Sequence, residues 1–297
     1  MSWKGDMLKA GITSDGVNVD IGGNLSARNM VDPPGNVYYV DDSVSASGDG
    51  TSWDEAYKTI SEAVDAASAF SDIYIAPGDY DESGVLDITT EGLRLIGSGD
   101  MHRNVSMLYR TSGSYDLMTI NAHHCEIIGL ALSAAPDTKS GIVISGASAS
   151  YKTRIANCRL DGWSGEYGIY LNESPDTIIE NCVIRSWNTA GIYVNSTRTL
   201  IRNCIFHVVA AKIGIEHVPA GGNRPDNVYV DNLFSGATSS TTTAIKFTGA
   251  PSDGTIICAR NYLCGTFDVD VTKIAAHGGV NNYAAEGAGG ALIDTVT

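Results

Sequence analysis

Thr153-Arg-Ile-Ala-Asn-Cys-Arg-Leu-Asp161, Thr177-Ile-Ile-Glu-Asn-Cys-Val-Ile-Arg185 and Thr199-Leu-Ile-Arg-Asn-Cys-Ile-Phe-His207 align without gaps. From Asn157 to Asn181 is 24 residues, and from Asn181 to Asn203 is 22. Tyr229-Val-Asp-Asn-Leu-Phe234 continues the pattern, with Asp231 and Asn232 in the Asn and Cys places. A second strand recurs in phase: Gly141-Ile-Val-Ile, Gly168-Ile-Tyr-Leu, Gly191-Ile-Tyr-Val, Gly214-Ile-Glu-His and Ala244-Ile-Lys-Phe. Short β-branched runs at a period of 20 to 30 residues, with no helical pattern between them, predict a solenoid of stacked rungs rather than βαβ units.

A rung cannot bury its apolar face alone. Stacked at about 4.8 Å, rungs hydrogen-bond to one another and their inward side chains form a continuous column. Asn157, Asn181 and Asn203 are expected at a turn, where asparagine tolerates bent backbone and can pass amide hydrogen bonds up the stack. The cysteines beside them should fill a narrow interior corner. All six, Cys125, Cys158, Cys182, Cys204, Cys258 and Cys264, are read as reduced and buried, because their spacing follows the repeat and not a metal pattern.

Of 297 residues, 43% are hydrophobic, enough for a large core. Lys plus Arg number 19 against 34 Asp plus Glu, and a net charge of −15 repels phosphate backbones and anionic lipid. Nucleic acid is therefore set aside as a partner. No apolar run is long enough to span a membrane, and residues 1 to 25 hold no signal-peptide core. The expectation is a chain made in a host cytoplasm without a signal peptide and without membrane insertion.

Residues 1–36 are rich in Gly, Ser, Asn and Asp and end in Asp32-Pro-Pro-Gly35, the composition of an attachment or assembly arm. Residues 37–267 carry the rungs. Ser52-Trp-Asp-Glu55 matches a capping box, and Tyr57, Ile60, Ala63, Val64 and Ala67 recur at helical spacing, so a helix over about 53–69 is expected to plug the first rung. Residues 268–297 lose the pattern and form a tail or cap, with Val269-Asp-Val as its first strand.

Gly48-Asp-Gly-Thr-Ser-Trp53, Ile73-Tyr-Ile-Ala-Pro-Gly-Asp-Tyr80, Gly92-Leu-Arg-Leu-Ile-Gly97 and the Asn-Cys rungs together resemble the pectin-lyase-like right-handed β-helix family. The resemblance covers roughly residues 37 to 267. It implies an all-β, right-handed parallel β-helix, and the hand comes from the resemblance alone. It does not choose an activity, since the family holds lyases, hydrolases, epimerases and non-catalytic phage spikes and fibres.

Alternation places Tyr170 outward when Ile169 and Leu171 point in, and the same rule aligns Val143, Tyr193, Glu216 and Lys246 in one outward column. Tyr170 over Tyr193 forms a shelf for a sugar face or another subunit. Ala156, Glu180 and Arg202 stack on the other sheet, with Glu180 and Arg202 read as a surface ion pair. Asp161, Glu166, Glu173 and Asp176 lie in turns, and a catalytic pair would draw on Asp161 or Glu166 with Glu216. Of His123-His-Cys125, only the two ends can share a side, which argues against a metal site. Asp41, Asp42 and Asp49 lack EF-hand spacing, and His217 falls inward as a core histidine. No cofactor is expected.

Two functions of different class follow. In the first, which is the one adopted, the chain is a structural virion protein of a tailed phage: a spike, fibre or capsid decoration subunit on the virion surface. It would be a homo-oligomer, with a trimer favoured, joined to other virion proteins through residues 1–36, with cell-surface polysaccharide as the ligand class and Tyr170 and Tyr193 as ligand-binding residues. In the second, it is a polysaccharide lyase or glycoside hydrolase acting on an acidic polysaccharide through Asp161, Glu166 and Glu216.

Overall fold

Short runs with every second residue apolar favour strands with one buried face, and the single left-handed residue between runs lets the chain turn without ending the stack. The computed structural model describes residues 36–82, 84–99, 105–110, 115–133, 139–145, 152–162, 165–209, 212–218, 226–248, 256–268 and 283–285. The expected arm, save Asn36, and most of the expected tail lie outside them. A first face stacks nine parallel strands, from Val37–Val40 through Arg154–Ala156, Ile178–Glu180 and Leu200–Arg202 to Ile256–Ala259. A second face runs from Gly78–Asp81 through Arg159–Asp161, Val183–Arg185 and Ile205–His207. A third runs from Leu86–Ile88 through Ser140–Ser145, Tyr167–Asn172, Ala190–Asn195 and Ile213–His217. The long strand Leu233–Phe247 pairs with Ile205–His207 at its start and Ile213–His217 at its end, joining those two faces into one fifteen-stranded sheet.

The core is a set of columns. On the third face Met118, Ile142, Ile169, Ile192, Ile215 and Ile245 lie in register and are buried. On the first face Ile127, Ile155, Ile179, Ile201 and Tyr229 do the same. Each such side chain contributes about 1.5–3 kcal/mol by leaving water. No single residue dominates.

Asn157, Asn181 and Asn203 turn the chain from the first face to the second at φ of 55°, 55° and 54°. Asp231 and Arg260 hold the same place at 59° and 53°. The expected asparagine ladder does not form there, because the left-handed turn leaves these three side chains exposed. The inward place belongs to the next residue: Cys158, Cys182 and Cys204, then Asn232 and Asn261. There the ladder is found, with Asn232 Nδ2 donating to Asn261 Oδ1 at 3.0 Å and the Cys204 amide donating to Asn232 Oδ1 at 3.0 Å. Five cysteines are buried, but Cys264 is exposed on the second face, against the expectation.

The helix spans Ile60–Ala66 rather than 53–69. Its capping box is Thr59 with Glu62; Ser52 does accept the Glu55 amide at 3.2 Å, but that contact closes only a turn. Tyr57 explains the late start, since its amide donates to Tyr39 O at 2.9 Å and its carbonyl accepts the Asp41 amide at 2.9 Å. Residue 57 is thereby held extended beside the first strand. Ile60, Ala63 and Val64 bury the helix against the first rungs. In the expected tail, Tyr283–Ala285 pairs parallel with Tyr262–Cys264, adding one more strand to the stack.

Candidate functional site

The outward column of the third face reads Asp87, Thr119, Val143, Tyr170, Tyr193, Glu216 and Lys246 in continuous register. At its centre three rings meet. Tyr167 stacks on Tyr170 at 5.4 Å and 19°, and tilts against Tyr193 at 5.0 Å; Tyr170 and Tyr193 lie 4.9 Å apart. All three are half-buried, so each keeps an open part. Burial, then the Glu166 carboxylate and its hydrogen bond, push the Tyr167 phenol up. Burial, Tyr170 and Glu216 push up Tyr193. Both therefore stay protonated near neutrality and can donate.

Beside the rings, Ser145, Asn172 and Asn195 form a second outward column. Asn195 Nδ2 donates to Asn172 Oδ1 at 3.1 Å, Ser145 Oγ donates to Asn121 Oδ1 at 2.9 Å, and Asn121 Nδ2 donates to Asp87 Oδ1 at 2.9 Å. Aromatic faces and a row of amides and hydroxyls run side by side along the solenoid axis.

Of the three candidate carboxylates, Asp161 stands apart from Glu216 on another face, whereas Glu166 and Glu216 both act on the Tyr167 phenol. Asp161 lies on the second face, where Arg159 Nη2 at 2.7 Å and Arg185 Nε hold it. Glu216 is buried beneath Lys246 Nζ at 2.9 Å and Thr248 Oγ1 at 3.0 Å. Glu166 is exposed and engages the Tyr167 phenol. Tyr167 itself was missed by alternation. Its signal was the glycine column that follows it: a Cβ at Gly168 would stand 2.4 Å from the Gly191 carbonyl oxygen, and one at Gly191 2.8 Å from that of Gly214. Glycine lets the rungs close up there and breaks the strict alternation at the strand start.

Elsewhere, Glu180 is not a surface partner. It is 6% exposed and accepts Arg154 Nη2 at 2.6 Å and Arg202 Nη2 at 2.5 Å, while Arg154 Nη1 also reaches Glu126 at 3.0 Å. Burial raises its pKa, but the two guanidiniums outweigh that and hold the carboxyl below its usual range. His123 and Cys125 form no ligand set; Cys125 is buried and its thiol is pushed up to about 11 by burial. Asp41, Asp42 and Asp49 each accept a local amide, from Ser43, Asp79 and Thr51, all at 2.9 Å. Among the described residues no group of three metal-ligating side chains gathers, and no helix is long and apolar enough to cross a membrane. His217 is buried with its Nδ1 2.8 Å from Tyr229 Oη.

A family model described as a right handed beta helix region matches residues 140–254. No curated protein matches the sequence. Pectin methylesterase PemA from Erwinia chrysanthemi superposes with a TM-score of 0.60 at 15% identity, covering 88% of this chain and 92% of its own. A pectin methylesterase in complex with a hexasaccharide gives 0.60 at 16% over the same shares. A full-length tailspike protein of the Escherichia coli O157:H7 bacteriophage CAB120 covers 82% of this chain and 38% of its own at 11% identity and a TM-score of 0.38, too distant to carry an argument. The esterases show the fold alone: this chain is a right-handed parallel β-helix, the fold that the resemblance implied.

Proposed function

We propose that the third face binds a polysaccharide lying along the solenoid axis, and that the chain is a structural, surface-exposed subunit of a tailed phage particle. One observation carries the binding reading: the Tyr167, Tyr170 and Tyr193 cluster stands beside the ladder of Asn121, Ser145, Asn172 and Asn195. Sugar rings offer C–H faces to aromatic rings and hydroxyls to amides, so the two columns match the two sides of a glycan. A rigid stack holds these groups in place before binding, which lowers the ordering cost. A pectin methylesterase of like fold is recorded with a hexasaccharide, consistent with an extended sugar along such a surface.

Catalysis is the second reading: Asp161 and Glu216 are each committed to cations and lie on different faces, which leaves Glu166 with Glu216, both acting on the Tyr167 phenol, as the pair an enzyme would draw on. Glycoside hydrolysis needs two carboxyls about 5–9.5 Å apart across one bond. The arm composition of residues 1–36 supports assembly with other virion proteins, and a homotrimer is the favoured oligomer.

Binding to a panel of host-surface glycans, measured by calorimetry, tests the proposal. The double variant Tyr170→Ala, Tyr193→Ala should lose at least about tenfold in affinity, equivalent to about 1.4 kcal/mol. Unchanged binding in that variant removes the assigned face. Release of reducing ends, unsaturated ends or methanol from the same glycans, abolished in Glu166→Gln or Glu216→Gln, establishes the enzyme in its place.

A further inference from the structure

A second aromatic site lies on the first face of the solenoid. Trp53 is 47% exposed and stands 4.7 Å from Tyr39 at 59°, while Tyr39 stacks on Tyr74 at 6.0 Å and 22°. Tyr39 and Tyr74 are neighbours in the outward column of the first face, and Trp53 closes over them from the loop before the helix. Trp53 and Tyr74 line an open cavity of about 480 Å³ together with Asp41, Ile75, Pro77 and Ile96. That is the size of a small-molecule pocket.

The lining decides the chemistry. The amides of Ala76 and Gly97 are spent on Val40 O and Ile128 O at 2.8 Å, and that of Ser98 on Ser106 Oγ at 3.0 Å. Pro77 has no amide proton. Side-chain donors remain at the Trp53 indole and the Tyr74 phenol, so the choice between a sugar and a cation falls to charge, and the charged group in this lining is the Asp41 carboxylate beside two π faces. Asp41 Oδ1 takes the Ser43 amide, which aligns the carboxylate without neutralising it. Among the described residues no Lys or Arg lines the cavity. Ring quadrupoles attract cations, and a quaternary ammonium, which cannot donate a hydrogen bond, loses little water on entering such a corner.

We propose that the Trp53, Tyr74 and Asp41 cavity is a binding site for a small quaternary ammonium group of the choline type. Trp53 and Tyr74 supply the faces, Tyr39 braces both rings, and Asp41 supplies the counter-charge. The site is independent of the tyrosine face, so either can fail without the other.

The test titrates the full chain with choline chloride at constant ionic strength, followed by calorimetry and ligand-observed NMR. The neutral isostere 3,3-dimethylbutan-1-ol and a neutral oligosaccharide are run in parallel. Choline should saturate one site and the isostere should bind at least about tenfold more weakly. Trp53→Ala should abolish binding, Trp53→Phe should retain part of it, and Asp41→Asn should weaken it about fivefold or more with the circular dichroism unchanged. Trp53→Phe and Asp41→Asn carry the test if Trp53→Ala fails to fold. Equal binding of choline and the isostere overturns the proposal. So does no saturable binding, binding indifferent to Asp41→Asn, or an oligosaccharide occupying the cavity in place of choline.

Discussion

Glu180→Gln tests the ion ladder of the first face. The Glu180 carboxylate bridges two rungs, taking Arg154 Nε at 2.8 Å and Nη2 at 2.6 Å on one side, and Arg202 Nε at 2.8 Å and Nη2 at 2.5 Å on the other. Its side chain is almost buried, whereas those guanidiniums are 36% and 46% exposed. Hydrogen bonds to a charged group contribute about 1.5–3 kcal/mol net when buried, and much less when both partners are in water. Glutamine keeps one acceptor oxygen but turns an NH2 group toward one arginine. The arginines can still be hydrated, so the loss falls well short of that for an unpaired charge in a dry core. The expected cost is about 2 kcal/mol at pH 7.

The pH dependence fixes the mechanism. The Glu180 pKa is lowered on folding from its ordinary 4.5, so its stabilisation is present in full above that value and is lost as pH falls through the folded pKa. Urea unfolding of both proteins, followed by circular dichroism, should show the gap at pH 7 and a shrinking gap from pH 4.5 to 3. A gap below about 0.5 kcal/mol at pH 7, the size of an ordinary surface substitution, refutes the ladder. A gap that stays constant down to pH 3 refutes the electrostatic origin.

At Asn181, where φ is 55°, alanine should cost about 1–2 kcal/mol and glycine much less; equal losses in urea unfolding would mean that the backbone conformation is not what asparagine supplies. Of the described cysteines, native protein should present Cys264 alone to a thiol reagent, since burial pushes the Cys258 thiol up to about 12, and hydrogen bonding between neighbouring thiols together with burial holds Cys158 and Cys182 well above the usual thiol range. Mass spectrometry of the labelled protein reads this, and rapid native labelling at any of the other five would contradict the packing.

The rungs were legible because the Asn-Cys step fixes register, and register with period two assigns a face to every residue within a strand. Tyr170, Tyr193, Glu216 and Lys246 were placed in one column on that ground alone, and they occupy it. The misses fall where the period is broken. At Asn157 a left-handed residue sends the side chain outward and passes the inward place to Cys158. At Gly168 a close rung contact changes the parity, so Tyr167 joins Tyr170 on the outer face although three residues separate them. The helix was misplaced for a different reason. Ser52-Glu55 and Thr59-Glu62 are both chemically sound caps, and only the pairing of Tyr57 with the first strand chooses between them.

The same breaks separate binding surface from scaffold. Within regular strands, an outward charge meets its counterpart one rung away, and stacking at about 4.8 Å lets the pair close: Glu126, Arg154, Glu180 and Arg202 on the first face, Asp161 and Arg185 on the second. Such ladders hold rungs together and leave little for a ligand to take. The tyrosines of the third face meet Glu166 and Glu216 only at their phenol ends, and their rings satisfy one another only in part. Charged positions of the repeat are self-satisfied, whereas its aromatic positions Tyr170 and Tyr193, and residues set where the repeat is interrupted, keep unspent faces. Tyr167 follows from a glycine that breaks alternation, and Trp53 from a loop outside the rungs. Each candidate binding site therefore gains one aromatic residue, Tyr167 or Trp53, from an irregularity that adjoins regular aromatic positions of the stack.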